Sequence, residues 1–420
     1  MLRQKKWLLV LFFLSYLIPG FCHTLTGPAD TTRLGNIKQL ESGIIEILRE
    51  TNTPAAGVAL VDTAGPVWVA GLGKANVIEN IEAGQNTLFR IASVSKTFVA
   101  LAILKLQEQG KLNLDDKIRD HIPEVKYENP WEDTHPVRIL HLLAHTTGWD
   151  EIHLVEIAHN DSIPIKLKDA LDFHPHSRKS RWIPGSRYAY SNSGSAVAAY
   201  IVEKVTAKTY EEYITEQFLK PLSMTKTTFF NDAIFQKFGA VTYNWNLEPI
   251  PYRHSIYRPG SSMNSSALEM ANLVHLFLTR GLIGNILIIS NGSISEMETP
   301  QSNPGVKAGL QLGYGLGSVT SIHKGFVYHG HTGMIDGGLT EFAYLPDHGI
   351  GHVFFINASN GEAFNRISAL IRDFETQRLE QTHTQNETAY DGDIAVKEGY
   401  YVSINPRMAG GAFYGLFNRI

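Results

Sequence analysis

Short β-type apolar runs stand at both ends of this chain, with helical patterns between them. That order constrains the fold to one sheet closed by its two termini. Pro54 to Val61 and Pro66 to Leu72 are separated by a turn at Asp62–Gly65 and read as a hairpin. Past residue 310 the β-type runs return at Leu312–Ser321, Gly325–Gly330, Leu339–Pro346 and Gly351–Asn357. A helical pattern over 34–50 precedes the first runs, and another over Glu362–Arg378 follows the last. The pattern predicts a mixed α/β (α+β) domain in which helices flank an antiparallel sheet. Residues 112–185, rich in His and Pro and without a sustained strand signal, read as a helical insertion.

The chemistry begins at Ser93-Val94-Ser95-Lys96, which opens an apolar helical pattern through Phe98, Leu101, Leu104 and Leu106 with Gly110 as its stop. Positions i and i+3 share a helix face, so Ser93 and Lys96 meet, whereas Ser95 points away. A serine hydroxyl becomes a nucleophile when a base takes its proton. A lysine whose pKa is held down by burial can be that base. Free N–H groups at the helix start can steady an oxyanion. Taken alone, the same four residues also fit an N-cap serine followed by a solvated lysine.

Two further elements follow in order. Tyr190-Ser191-Asn192 lies in a loop entering a helix that spans about Ser193–Val205. A tyrosine of depressed pKa there can relay a proton, and an asparagine two residues on can hold a substrate carbonyl. His331-Thr332-Gly333 comes just before the β-type run near Leu339. A strand edge there offers a backbone N–H, a glycine for close approach and a hydrogen-bonding side chain.

Together, Ser93-x-x-Lys96, Tyr190-x-Asn192 and His331-Thr332-Gly333 resemble the three motifs of the serine β-lactamase and penicillin-binding-protein superfamily. The Tyr-x-Asn form is similar to the class C β-lactamase-like branch, which includes esterases and D-amino-acid peptidases. Leu88 to Ser93, Leu142 to Gly148, Pro259 to Ser265 and Gly313 to Gly317 extend the likeness over about 35–375. The resemblance implies a β-lactamase/transpeptidase-like sheet with a helical subdomain and the site between them. It implies Ser93 as the acylated nucleophile, Lys96 and Tyr190 as the proton-transfer pair, and Asn192 as the residue orienting substrate. His331, Thr332, Gly333 and Met334 would bind substrate, with the N–H groups of Ser93 and Met334 as oxyanion hole. One departure stands out: His331 occupies a position where many relatives have lysine. With a reference pKa near 6.5 it is mostly neutral at pH 7, which favours esters, amides or peptides over substrates needing a carboxylate clamp.

Arg3, Lys5 and Lys6 precede an apolar run from Trp7 to Ile18 and the small residue Gly20, the layout of a signal peptide over 1–22. Its removal takes away the only cysteine, Cys22, and three cations, so the formal charge falls from −4 to −7. Cysteine nucleophiles, Cys-based zinc sites and nucleic-acid partners are thereby disfavoured. The histidine pairs His141/His145, His174/His176 and His329/His331 come without a His-Glu-x-x-His, so neither a catalytic metal nor another cofactor is expected. The plan is a signal peptide at 1–22, a hydrolase domain at 23–378, a linker at 379–392 and a short β-rich tail at 393–420. The tail from Glu398 resembles the opening strand of a small β-barrel-like domain found after some relatives' catalytic domains. The reading is an exported, periplasmic or secreted serine hydrolase acting on a small-molecule or peptide substrate, with no stable membrane span after cleavage. The alternative is a weak or inactive relative that binds cell-wall fragments.

Overall fold

The computed structural model describes residues 37–159, 163–301, 306, 311–380 and 407. The segment read as a signal peptide lies outside them, as do most of the linker and, Arg407 apart, the 393–420 tail.

Helix α1 (Ile37–Glu50) buries Leu40, Ile44, Ile47 and Leu48, one stripe at helical spacing. Strands β1 (Ala55–Asp62) and β2 (Gly65–Asn76) form the expected hairpin, with Ala56 opposite Leu72, and the short β3 (Ile81–Glu82) adds an edge. Near the other end come β4 (Gly313–Tyr314), β5 (Val319–His323), β6 (Phe326–Ile335), β7 (Gly338–Leu345) and β8 (Ile350–Ile356). All eight make one antiparallel sheet in the order β4-β5-β6-β7-β8-β1-β2-β3. The join is β8 against β1, with Ala56 opposite Ile356.

Because side chains alternate along a strand, β1 and β8 feed two separate cores. Val58, Leu60, Phe354 and Ile356 pack with α1 and the last helix. Ala59, Val61, Val353 and Phe355 face the main core, which contains α2 (Ser95–Glu108), α3 (Asn192–Thr206) and α4 (Ala267–Leu278). Helix α2 is buried without interruption from Ser95 to Leu104, as a helix apolar on every side must be. The last helix, α5 (Gly361–Thr376), buries Ala363, Ile367 and Ile371 on the outer face. The described part of residues 112–185 carries short helices, Ile118–His121, Ile139–Leu143 and Leu167–Phe173, together with a two-residue strand, Ala158–His159, paired with His254–Ser255.

One placement differs from the sequence reading. His331-Thr332-Gly333 lies inside β6, opposite Phe342, Glu341 and Thr340 of β7, rather than ahead of the β run. Polar His and Thr between two glycines hide the alternation. The actual turn is Asp336-Gly337, where Gly337 has φ +75°. Pairing of β5 with β6 stops at Gly330, so residues 331–335 present an open edge toward the Ser93 turn.

Between the sheet and α5 sits a buried ionic network. His352, with no exposed surface, meets Glu341 at 2.8 Å and Glu375 at 3.0 Å, and Arg372 meets Glu341 at 3.1 Å. Burial opposes the imidazolium, but Glu375 and Glu341 outweigh it and raise the His352 pKa to about 9. The proton is therefore bound in the folded state and lost on unfolding near the ordinary value of 6.5. Wild-type stability should be full below pH 6.5 and decline as pH rises toward 9. His352→Ala should lower unfolding free energy by about 3–5 kcal/mol in urea titrations at pH 6 and abolish this part of the pH dependence.

Candidate active site

Ser93 stands on a 3₁₀ turn, Ala92–Val94, that feeds α2, rather than on the helix itself. Ala92 has φ +49°, a left-handed conformation that costs an alanine on the order of 1 kcal/mol. The turn is held by Ile91 N–H donating to Met263 O at 2.9 Å and by Ser95 Oγ donating to Ala92 O at 2.6 Å. Ser95 is thus spent on the turn, while Ser93 stays partly exposed among buried neighbours.

Lys96 is buried, with Nζ 3.2 Å from Ser93 Oγ, 2.7 Å from Asn192 Oδ1 and 2.8 Å from Gly260 O. Burial drives its pKa down to about 7, Glu151 pulling it up and Arg407 pushing it down. A neutral amine gives its two protons to the two carbonyl oxygens, which leaves its lone pair facing the Ser93 hydroxyl. Packing of α2 against α3 brings the pair beside Asn192 at the start of α3. Gly317, at φ +60°, lets the chain after β4 lie on α2, since a Cβ there would fall 2.7 Å from Lys96 O.

The Tyr190 ring lies 5.0 Å from Lys96 Nζ, and its hydroxyl is buried with no well-formed hydrogen-bond partner among the described residues. Burial pushes this phenol above its ordinary value, although Arg407 and the nearby Ser93 hydroxyl act in the opposite direction. The depressed pKa expected for Tyr190 is therefore corrected: the resting site holds a neutral phenol, and Lys96 is the group poised near neutrality. His145, at φ +55°, lies 4.1 Å from the Tyr190 ring and 4.6 Å from the Tyr314 ring, between centroids. Burial and the nearby cations hold it far below the usual histidine value, so it stays neutral, its Nδ1 accepting from Ser191 N–H at 3.2 Å.

The third wall is β6. A Cβ on Gly333 would lie 2.3 Å from Ile91 O and 3.1 Å from Ser93 N, so only glycine lets this strand pass the serine turn. Thr332 is partly exposed, and the Met334 side chain is 60% exposed at the mouth. His331 is different. Burial and Lys96 lower its pKa to about 3, so it is neutral. Its Nδ1 donates to Thr332 O at 2.5 Å, and its Nε2 accepts from Tyr314 OH at 2.8 Å. Both ring nitrogens are engaged inside the protein, at the position where the resemblance implied a contact with substrate.

Sequence reasoning missed Glu151 and Arg407. Glu151 accepts from Asn192 Nδ2 at 3.1 Å and from Asn192 N–H at 3.2 Å, fixing the amide whose oxygen faces Lys96. Arg407 pairs with Glu151, places its guanidinium 4.6 Å over the Tyr190 ring, and its carbonyl accepts from Glu151 N–H at 3.2 Å. Neither belongs to a motif, and Arg407 is 217 positions from Tyr190 in sequence. His145 did have a signal, in the Leu142–Gly148 stretch. Among the described residues, His153, Glu156 and His174 are the group whose donor atoms could hold a metal.

A serine–lysine pair in the seam between an antiparallel sheet and a helical region defines the β-lactamase and transpeptidase class of fold. Residues 38–375 match the family model described as Beta-lactamase, and the chain belongs to that family. It is 33% identical over 210 residues to Protein flp of Staphylococcus aureus (strain NCTC 8325 / PS 47), covering 49% of this chain and 41% of that protein. It is 32% identical over 178 residues to Penicillin-binding protein 4* of Bacillus subtilis (strain 168), covering 42% and 38%. The matched segments thus span less than half the length of these curated relatives. The octameric penicillin-binding protein homologue from Pyrococcus abyssi superposes with a TM-score of 0.69 and 26% identity, over 80% of this chain and 77% of that one. EstCE1, a hydrolase with promiscuous acyltransferase activity, shares the fold with a TM-score of 0.67 at 19% identity, over 82% and 98%.

The charges beside Lys96 yield opposed predictions. Glu151→Gln should move the acid limb of Ser93 acylation by a fluorophosphonate to lower pH, and Arg407→Ala to higher pH, each by up to about one unit. The pH dependence of labelling rate in the two variants measures both.

Proposed function

We propose that the domain over 23–378 is an exported serine hydrolase that works through an acyl-enzyme on Ser93. The observation that carries this reading is the buried Lys96 amine, 3.2 Å from Ser93 Oγ with a pKa near 7 and its other two bonds made to carbonyl oxygens. In the proposed reaction Lys96 takes the Ser93 proton as Oγ attacks a carbonyl carbon. The N–H groups of Ser93 and Met334 receive the charge that develops on the carbonyl oxygen. The proton passes from Lys96 by way of the Tyr190 hydroxyl to the leaving amine or alkoxide, and the acyl group stays on Oγ. Water then attacks the ester, gives its proton back along the Tyr190/Lys96 pair, and releases the acid as Ser93 recovers its own. Asn192 orients the substrate carbonyl, with Glu151 holding its amide.

The substrate class follows from the third wall. A neutral His331, closed by Tyr314 and Thr332, supplies no cation for a carboxylate. Esters, amides and peptides without an obligatory terminal carboxylate fit this site better than penicillin-like substrates. Export rests on the sequence pattern at 1–22. Among the described residues no helix is long and apolar enough to cross a membrane.

Wild-type protein should be labelled by a fluorophosphonate and should hydrolyse p-nitrophenyl acetate, while Ser93→Ala does neither and Lys96→Ala falls by roughly 10²–10⁴-fold. Because Lys96 acts as the free amine, kcat/KM should rise with pH through about 7 and level off above it. Absence of labelling by any serine-directed probe would overturn the enzyme and leave a binder of cell-wall fragments.

A further inference from the structure

Close in sequence to Glu151, three side chains converge that the hydrolytic reading does not use. His153, Glu156 and His174 bring one donor atom each to within 4.8 Å of one another. His153 Nδ1 and His174 Nε2 face each other at 2.8 Å. Two ligand nitrogens about 2.1 Å from a tetrahedral ion stand roughly 3.4 Å apart, so a ring rotation of well under 1 Å admits the ion.

The surroundings are those of a built ligand set rather than a chance cluster. The other ring nitrogen of His153, Nε2, is 3.7 Å from Asp150 Oδ2, an ion-pair separation longer than a hydrogen bond. Glu156 is fully buried. Ser177 Oγ donates to its Oε1 at 2.8 Å, Tyr257 OH also donates to Oε1, and His153 N–H donates to Oε2 at 2.8 Å. Its carboxylate is thus fixed with Oε2 less occupied than Oε1. His153 and His174 are partly exposed, which leaves an approach from solvent and room for a water ligand.

We propose that His153, Glu156 and His174 bind a divalent transition metal, zinc by donor type, as a positioning site beside the catalytic seam. Two imidazoles and a carboxylate with one open position suit zinc, and the absence of thiolate or an all-oxygen shell disfavours copper(I) and calcium. The ion would tie the 150–156 segment to the Pro175–Ser177 turn. That segment carries Glu151, which holds Asn192, and Asp150, whose carbonyl accepts from Ser191 Oγ at 3.2 Å. The metal takes no part in bond breaking at Ser93.

The test uses the untagged full chain, stripped with EDTA and titrated with zinc chloride by calorimetry, with cobalt(II) as a spectroscopic substitute. The expected result is one equivalent bound at micromolar affinity or tighter, visible bands of four-coordinate cobalt, and a rise in Tm on adding zinc. His153→Ala and His174→Ala should each weaken binding at least tenfold. Circular dichroism checks that each variant folds, and His174→Gln serves if the alanine variant does not. No binding, or binding unchanged in both histidine variants, would overturn the site. Metal content is read without reference to catalysis, so this outcome is separate from failure of the hydrolase reading.

Discussion

A lysine amine taken out of water is the constraint around which this structure is arranged. Moving the Lys96 pKa from 10.5 to about 7 corresponds to roughly 5 kcal/mol of lost preference for the charged form. That shift requires α2 to run buried through the core, with α3 packed against it. It also requires acceptors that are themselves fixed. Gly260 O comes from a 3₁₀ turn, and Asn192 Oδ1 is aimed by Glu151. The interior therefore creates the reactivity and also holds the partners that limit it.

The same burial explains how the residues around the amine divide their work. Tyr190, His145 and His331 all stay neutral because an extra charge beside Lys96 in a dry seam would be costly. The charges beside it are Glu151, itself buried, and the partly exposed Arg407, which pair with each other. Their opposite signs offset each other next to the amine.

Much of this was legible in sequence because the motifs sit where chain geometry forces contact. Ser93 and Lys96 are one turn apart, and the hairpin at 55–76 follows from alternation and a turn. The helices at 37–50 and 361–376 read directly from their apolar stripes. What was hidden depended on tertiary neighbours. The His331 motif read as lying ahead of the β run because its glycines, which serve close packing, hide the strand alternation, and the state of its imidazole is set by burial and by Lys96. Glu151 and Arg407 act through contacts between distant segments, for which one sequence carries no periodicity. The Tyr190 phenol went the other way from expectation because desolvation outweighed its charged neighbours.

The closure of the sheet by β8 against β1 also sets a timetable. Residues near 56 find their partners only when residues near 356 have been made. Contacts at such separation are slow to form, and until then the β1–β2 hairpin carries an unpaired apolar edge. Nascent chains would be exposed to edge-to-edge association during that interval, so holding the chain in an unfolded state until synthesis is complete would protect its yield.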